Sequence, residues 1–179
     1  MMGDHIIIGI DPGPLTSGLV VYRTSAGCSA NGHGVVIRSD KAADLDRLRM
    51  ELDAADPATT EVVLECTQAG PPSTQVVKTT EVVGRLMEAC DVRGLDYYTY
   101  YRREVLQALG CARKGNKDSL VRLACIELHG GDRPAAIGNK KTPGPLYGVS
   151  SHAWQALGAV CAHVLQPRAR TCPRGSWAA

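Results

Sequence analysis

With 179 residues, 44% hydrophobic and 21% charged, the chain has the size and composition of one compact globular domain, and no apolar run approaches the roughly 18 to 20 residues that span a bilayer. The formal charge of +2 conceals an asymmetry: fourteen Lys and Arg stand against eighteen acids up to Asp132, whereas from Arg133 onward there are six Lys and Arg and no acid. A basic back segment fits either a phosphate-backbone contact or a solvated tail. Seven cysteines (Cys28, Cys66, Cys90, Cys111, Cys125, Cys161, Cys172) are odd in number and never spaced C-x-x-C, which fits reduced, non-catalytic thiols in a cytoplasmic protein better than disulfides or zinc. The N-terminus has neither a basic n-region nor a long apolar h-region, so no secretion signal is expected.

In chain order, Ile6-Ile7-Ile8-Gly9-Ile10 reads as a buried strand that delivers Asp11 at its carboxyl end, with Pro12-Gly13 turning the chain. Thr16 to Tyr22 returns as the second arm of a hairpin, Ala26 to Gly34 is a loop, and Gly34 to Ile37 supplies a third strand. The spacing of Leu45, Leu48 and Leu52 predicts a helix over Ala42 to Ala55, ended by Pro57. Glu61 to Cys66 is a second buried strand with an acid, Glu65, near its far end. After a Gly-Pro-Pro-Ser loop, a helix to Cys90 places Val76, Val83, Met87 and Cys90 on one stripe, with Val77 and Leu86 beside it.

Asp96 to Tyr101 is a Tyr-rich strand, and Arg102 to Leu109 a short helix. Asn116 caps a helix over Lys117 to Leu128 whose apolar stripe is Leu120, Leu123, Ala124 and Leu128. Gly130 to Tyr147 reads as surface loop. In the last helix, Ser150 to Leu165, one side carries Trp154, Leu157, Gly158, Cys161 and Leu165 for packing. The other carries His152, Gln155, Ala159 and His163, which suits either solvent or a sheet whose carboxylates the first turn faces. Residues 1–166 form the domain and 167–179 a basic tail. Three antiparallel-type strands followed by βα units make an α/β protein with a mixed five-stranded sheet flanked by helices.

A carboxylate at the lip of a hydrophobic sheet costs several kcal/mol, on the order of the penalty for a buried ion, unless something neutralises it. A divalent cation is one neutraliser, and Glu65 repeats the arrangement of Asp11 on a second strand. Asp11-Pro12-Gly13 is also a good turn sequence by itself.

Four features in order, Gly9-Ile10-Asp11-Pro12-Gly13, Glu65, Lys117 and Ser151-His152-Ala153-Trp154-Gln155-Ala156-Leu157-Gly158, together resemble the RuvC family of Holliday-junction resolvases, within the RNase H-like fold, over roughly residues 5 to 165. The resemblance implies two Mg2+ or Mn2+ ions held by Asp11, Glu65, His152 and the residue three beyond it. That residue is Gln155, where the family's last acid would fall, and an amide offers an oxygen but no charge, so the second ion should bind more weakly. Lys117 matches the family's catalytic-site lysine. The activity implied is hydrolysis of a phosphodiester in a four-way DNA junction by a homodimer, with the helix carrying Val76 to Cys90 resembling the pairing helix.

Arg102, Arg103, Arg113, Lys114, Lys140 and Lys141 are the candidates for gripping phosphates. The loop of residues 67–72 lacks the family's wedging aromatic, so junction opening must proceed otherwise or to a smaller extent. Two rivals stand beside this reading: a junction-binding protein that cannot cut, prompted by Gln155, and an actin-like phosphotransferase, prompted by Asp11 to Thr16 but lacking length for a second nucleotide-binding domain.

Overall fold

A computed structural model describes residues 5–24, 34–66, 73–111 and 117–167. The strands β1 (His5–Asp11), β2 (Ser17–Thr24), β3 (Val35–Ala43), β4 (Thr60–Cys66) and β5 (Asp96–Tyr101) form one sheet in the order β3-β2-β1-β4-β5. Pairing is antiparallel for β1 with β2 and for β2 with β3, and parallel for β1 with β4 and for β4 with β5. This is the expected mixed α/β sheet. The central strands are aliphatic because both faces are covered: Ile8, Ile10, Val62 and Leu64 point to one layer, and Ile7, Val20 and Val63 to the other. Each fully buried aliphatic side chain stabilises by about 1.5–3 kcal/mol.

The first layer holds α1 (Leu45–Asp53) and α2 (Thr74–Arg93). Asp44 caps α1 by accepting from the Arg47 amide at 2.8 Å, and Ser73 caps α2 by accepting from Val76 at 3.2 Å. The opposite layer holds α3 (Arg102–Ala108), α4 (Lys117–Leu128) and α6 (Ala153–Leu165). From Ala153 to His163, α6 is buried except at Gln155. It lies against β1 and β2 because those strands present glycines to it: a Cβ on Gly9 would stand 2.8 Å from the Ala156 carbonyl oxygen, and one on Gly18 2.9 Å from the Ala153 nitrogen.

Several elements differ from the sequence reading. The third strand extends to Ala43, so α1 begins only at Leu45; β3 is a polar edge strand with register shifts, and its Arg-Ser-Asp-Lys run carries little period-2 signal. The presumed loop after Gly130 contains α5 (Arg133–Ile137), which Asp132 caps with Pro134 in the first turn, a start signal outweighed by the surrounding glycines. In α4 the expected Leu120, Ala124 and Leu128 pack against the core as partly buried residues, but Leu123 is 60% exposed, and the fully buried positions are Val121, Cys125 and Ile126, with Val121 fitted into the gap left by Gly158 of α6. In α2, Val76 is only half-buried and Val77 exposed, the buried stripe being Thr79, Val83, Leu86, Ala89 and Cys90. Leu165 is exposed at the end of α6.

His163, on the face that solvent or a sheet could have claimed, lies against the sheet. Its Nδ1 meets the Tyr100 hydroxyl at 2.9 Å and its Nε2 meets Glu61 Oε1 at 3.1 Å, with His5 Nε2 on the same oxygen at 2.9 Å. Burial alone would raise the Glu61 carboxyl, but hydrogen bonds from His163 and His5 overcome it and hold it at about 2. Five cysteines among the described residues are free thiols. Among the described residues no helix is long and apolar enough to cross a membrane.

Candidate active site

The β1–β4 ladder ends with Ile10 opposite Leu64, so Asp11 and Glu65 are the next residues on adjacent parallel strands. Both project to the α6 side. Across the other ladder Asp11 pairs with Gly18, and the backbone of His152 rests on that glycine, which brings the start of α6 onto the strand end. His152 occupies the capping position of α6, and its Nδ1 lies 3.8 Å from Asp11 Oδ2. The residue before it, Ser151, takes a left-handed φ of 48°, a conformation that costs an L-residue about 1 kcal/mol and turns the chain sharply into the helix.

Asp11, Pro12, Glu65, Cys66, Arg102, Asp118, His152 and Gln155 line one cavity of about 310 Å³. Within it Glu65 is 8% exposed. Burial pushes its carboxyl up to about 8, the Asp11 charge adding to the rise and Arg102 opposing it. Burial likewise lifts Asp11 to about 6 against the pull of His152 and Arg102. Two desolvated acids that each resist ionisation leave the cavity short of positive charge.

Arg102, at the first position of α3, supplies part of it. Its Nη1 reaches Glu65 Oε1 at 3.3 Å and Oε2 at 3.4 Å and donates to Gln155 Oε1, while Nη2 donates to Asp118 Oδ1 in the first turn of α4. Among the described residues no group of three His, Cys, Asp or Glu side chains stands ready to share an ion. The donor set nevertheless suits a hard cation, since Asp11 and Glu65 offer carboxylate oxygens and Gln155 an amide oxygen at one cavity, and the burial of the two acids, only partly offset by Arg102 and His152, calls for added positive charge.

Asp11, Glu65, His152 and Gln155 therefore come together, from two strand ends and one helix start. Arg102, one of the candidates for gripping phosphates, sits among the acids. Asp118 was missed: an acid in the first turn of a helix normally signals only favourable interaction with the helix dipole, and nothing in the spacing ties it to Arg102. Arg103, Lys140 and Lys141 are exposed, the two lysines in the turn closed by the Gly138–Pro143 bridge, and none of them lines the cavity. Lys117 opens α4, its side chain lying outside the described residues together with Arg113, Lys114 and the Asn116 cap. A second, larger groove of about 560 Å³ shares Asp118, His152 and Gln155 with the cavity and adds Ser119, Arg122, Arg133, Ser150 and Ser151. There the Arg122 guanidinium lies 5.1 Å over the Trp154 ring.

No family model and no curated protein sequence matches the chain. Among solved structures it is similar to RuvC of Thermus thermophilus, with a TM-score of 0.64 and 21% identity over 89% of this chain and 93% of that one. It is also similar to T. thermophilus RuvC in complex with Holliday junction substrate, with a TM-score of 0.63 and 19% identity over 90% and 93%. The chain thus has a RuvC-like, RNase H-like fold.

Proposed function

We propose that this chain is a metal-dependent, structure-selective endonuclease of the RuvC type that hydrolyses phosphodiesters in four-way DNA junctions, working as a homodimer. The observation that carries the reading is the pair Asp11 and Glu65, buried at neighbouring strand ends under the start of α6, each with its carboxyl raised by desolvation. Asp11 and Glu65 would hold a Mg2+ or Mn2+ ion, with Gln155 and His152 as weaker donors. When bound, such an ion supplies an activated water and neutralises charge at the phosphorus.

The protein's own groups do the rest. His152, with a side chain 62% exposed and Nδ1 beside Asp11, is placed to carry a proton between the cavity and solvent. The positive end of α6 and the Arg122 and Arg133 side chains of the adjoining groove suit the phosphates on either side of the cut. The fold similarity to a junction-bound RuvC supports the choice of branched DNA, and the twofold symmetry of paired cuts supports the dimer.

A synthetic four-way junction incubated with Mg2+ or Mn2+ tests the reading. Symmetric nicks are expected, and they should vanish in Asp11→Asn. A second reading, a protein that binds junctions without cutting, is favoured by Gln155, whose oxygen is engaged by Arg102. Tight junction binding with no product at any metal concentration, together with cutting restored by Gln155→Asp, would select it.

A further inference from the structure

We infer that Arg102 is a built-in counter-cation of this cavity, one that a divalent ion must displace from Glu65 and Gln155 while Asp118 retains it. The inference rests on the metal-dependent reading above and concerns how the site is kept in the ion's absence.

Three observations carry it. First, Arg102 spans the cavity: one terminal nitrogen serves Glu65 and Gln155, and the other serves Asp118. It thereby occupies the Gln155 oxygen that an ion beside Glu65 would otherwise use. Second, its reach to Glu65, at 3.3 and 3.4 Å, is longer than the roughly 2.7–2.9 Å of a charge-assisted hydrogen bond, so the Glu65 oxygens are not held closely by it. Third, the contacts differ in exposure: the Glu65 side chain is 9% exposed and that of Asp118 is 73% exposed. Asp118 offers the guanidinium a place at the rim, in reach of solvent and of the groove bearing Arg122 and Arg133.

Without Arg102, Asp11 and Glu65 would lie at neighbouring strand ends with His152 as the one other basic group, among the described residues, that lines the cavity, and like charges in a desolvated cavity repel. Arg102 keeps the metal-free site folded and, for the same reason, competes with the ion. It is a positioning residue, and the competition also selects: a divalent ion, with twice the charge and a small radius, can displace a guanidinium from a carboxylate where a monovalent ion cannot.

The test is calorimetric titration of the full chain with Mn2+ alone, without DNA. Arg102→Met keeps the apolar stem and removes the charge; it is expected to bind Mn2+ about tenfold more tightly than the wild type and to show a larger rise in melting temperature on adding Mn2+. Arg102→Lys, which keeps the charge but cannot bridge the three partners at once, should fall between them and guards against a folding defect in the first variant. Equal or weaker Mn2+ binding in both variants overturns the inference and leaves the nuclease reading standing. No Mn2+ binding in any of the three proteins overturns both.

Discussion

Asp11 shows at one residue how the candidate site works against stability. Its folded-state carboxyl is raised to about 6 from an ordinary 3.8, chiefly by burial, so folding disfavours its charged form. The destabilisation is absent below about pH 4, where the group is protonated both folded and unfolded, and grows as pH rises toward 6, beyond which it is complete. Asp11→Asn removes it. In a metal-free buffer, the variant is expected to match the wild type in denaturant unfolding at pH 4 and to exceed it by about 1–2 kcal/mol at pH 8, while abolishing junction cleavage; the rise from 3.8 to about 6 caps the gain at about 3 kcal/mol. Equal stabilities at pH 8 would mean that Asp11 lies in a wetter or better-paired environment than its burial implies. At this scale the sequence announced its acids well. Asp11 and Glu65 were legible because each follows an apolar strand, and strand ends are where a parallel sheet gathers side chains. The Arg102 bridge was not legible, because a contact between the first turns of two helices depends on how those helices cross, which no local pattern records.

The elements that matter are β1, β2 and α6, and what joins them is the absence of side chains. Gly18 pairs with Asp11 across the β1–β2 ladder, and the His152 backbone sits directly on it. A methyl group there meets peptide atoms rather than the end of a flexible side chain, so α6 must lift. Gly18→Ala is expected to cost about 2 kcal/mol in thermal or denaturant unfolding, in the range for overpacking a close contact, and to reduce cleavage further than that loss explains, because the lift separates His152 and Gln155 from the strand ends. An unchanged cleavage rate in a destabilised but folded variant would show that the position of α6 is not critical to the chemistry. Most elements could be read from periodicity, because strands buried on both faces and capped helices each leave a local signature. The misreadings share a cause. The β3 edge strand is polar and irregular, α5 is one short turn bracketed by glycines, and α4 buries Val121 more deeply than its expected stripe because Gly158 admits it. Each was decided by a neighbour rather than by the segment's own residues.

At the level of the whole molecule, three acids gather at one cavity and two arginines line the groove beside it. The acids Asp11, Glu65 and Asp118 collect at one cavity, and the groove that opens from it is lined by Arg122 from α4 and by Arg133 from α5, at the boundary where the sequence turns basic. Arg122 is also braced against Trp154, so its guanidinium is held over the groove and loses little freedom when it meets a phosphate. A nucleic-acid strand crossing this surface would place one phosphate at the acids and its neighbours along the arginines. Junction binding should then weaken steeply with salt, because every phosphate neutralised releases condensed counterions. Measured without a divalent ion, the slope of log Kobs against log[salt] is expected to become shallower by about 1 for Arg122→Ala, by about 1 for Arg133→Ala, and by about 2 for the pair, with similar losses for junctions of different sequence. Arg103→Ala, at an exposed position outside both cavities, should change the slope less. A slope that responds to Arg103 but not to the groove arginines would move the DNA to another face of the protein, and the acids would then need a different substrate strand to act upon.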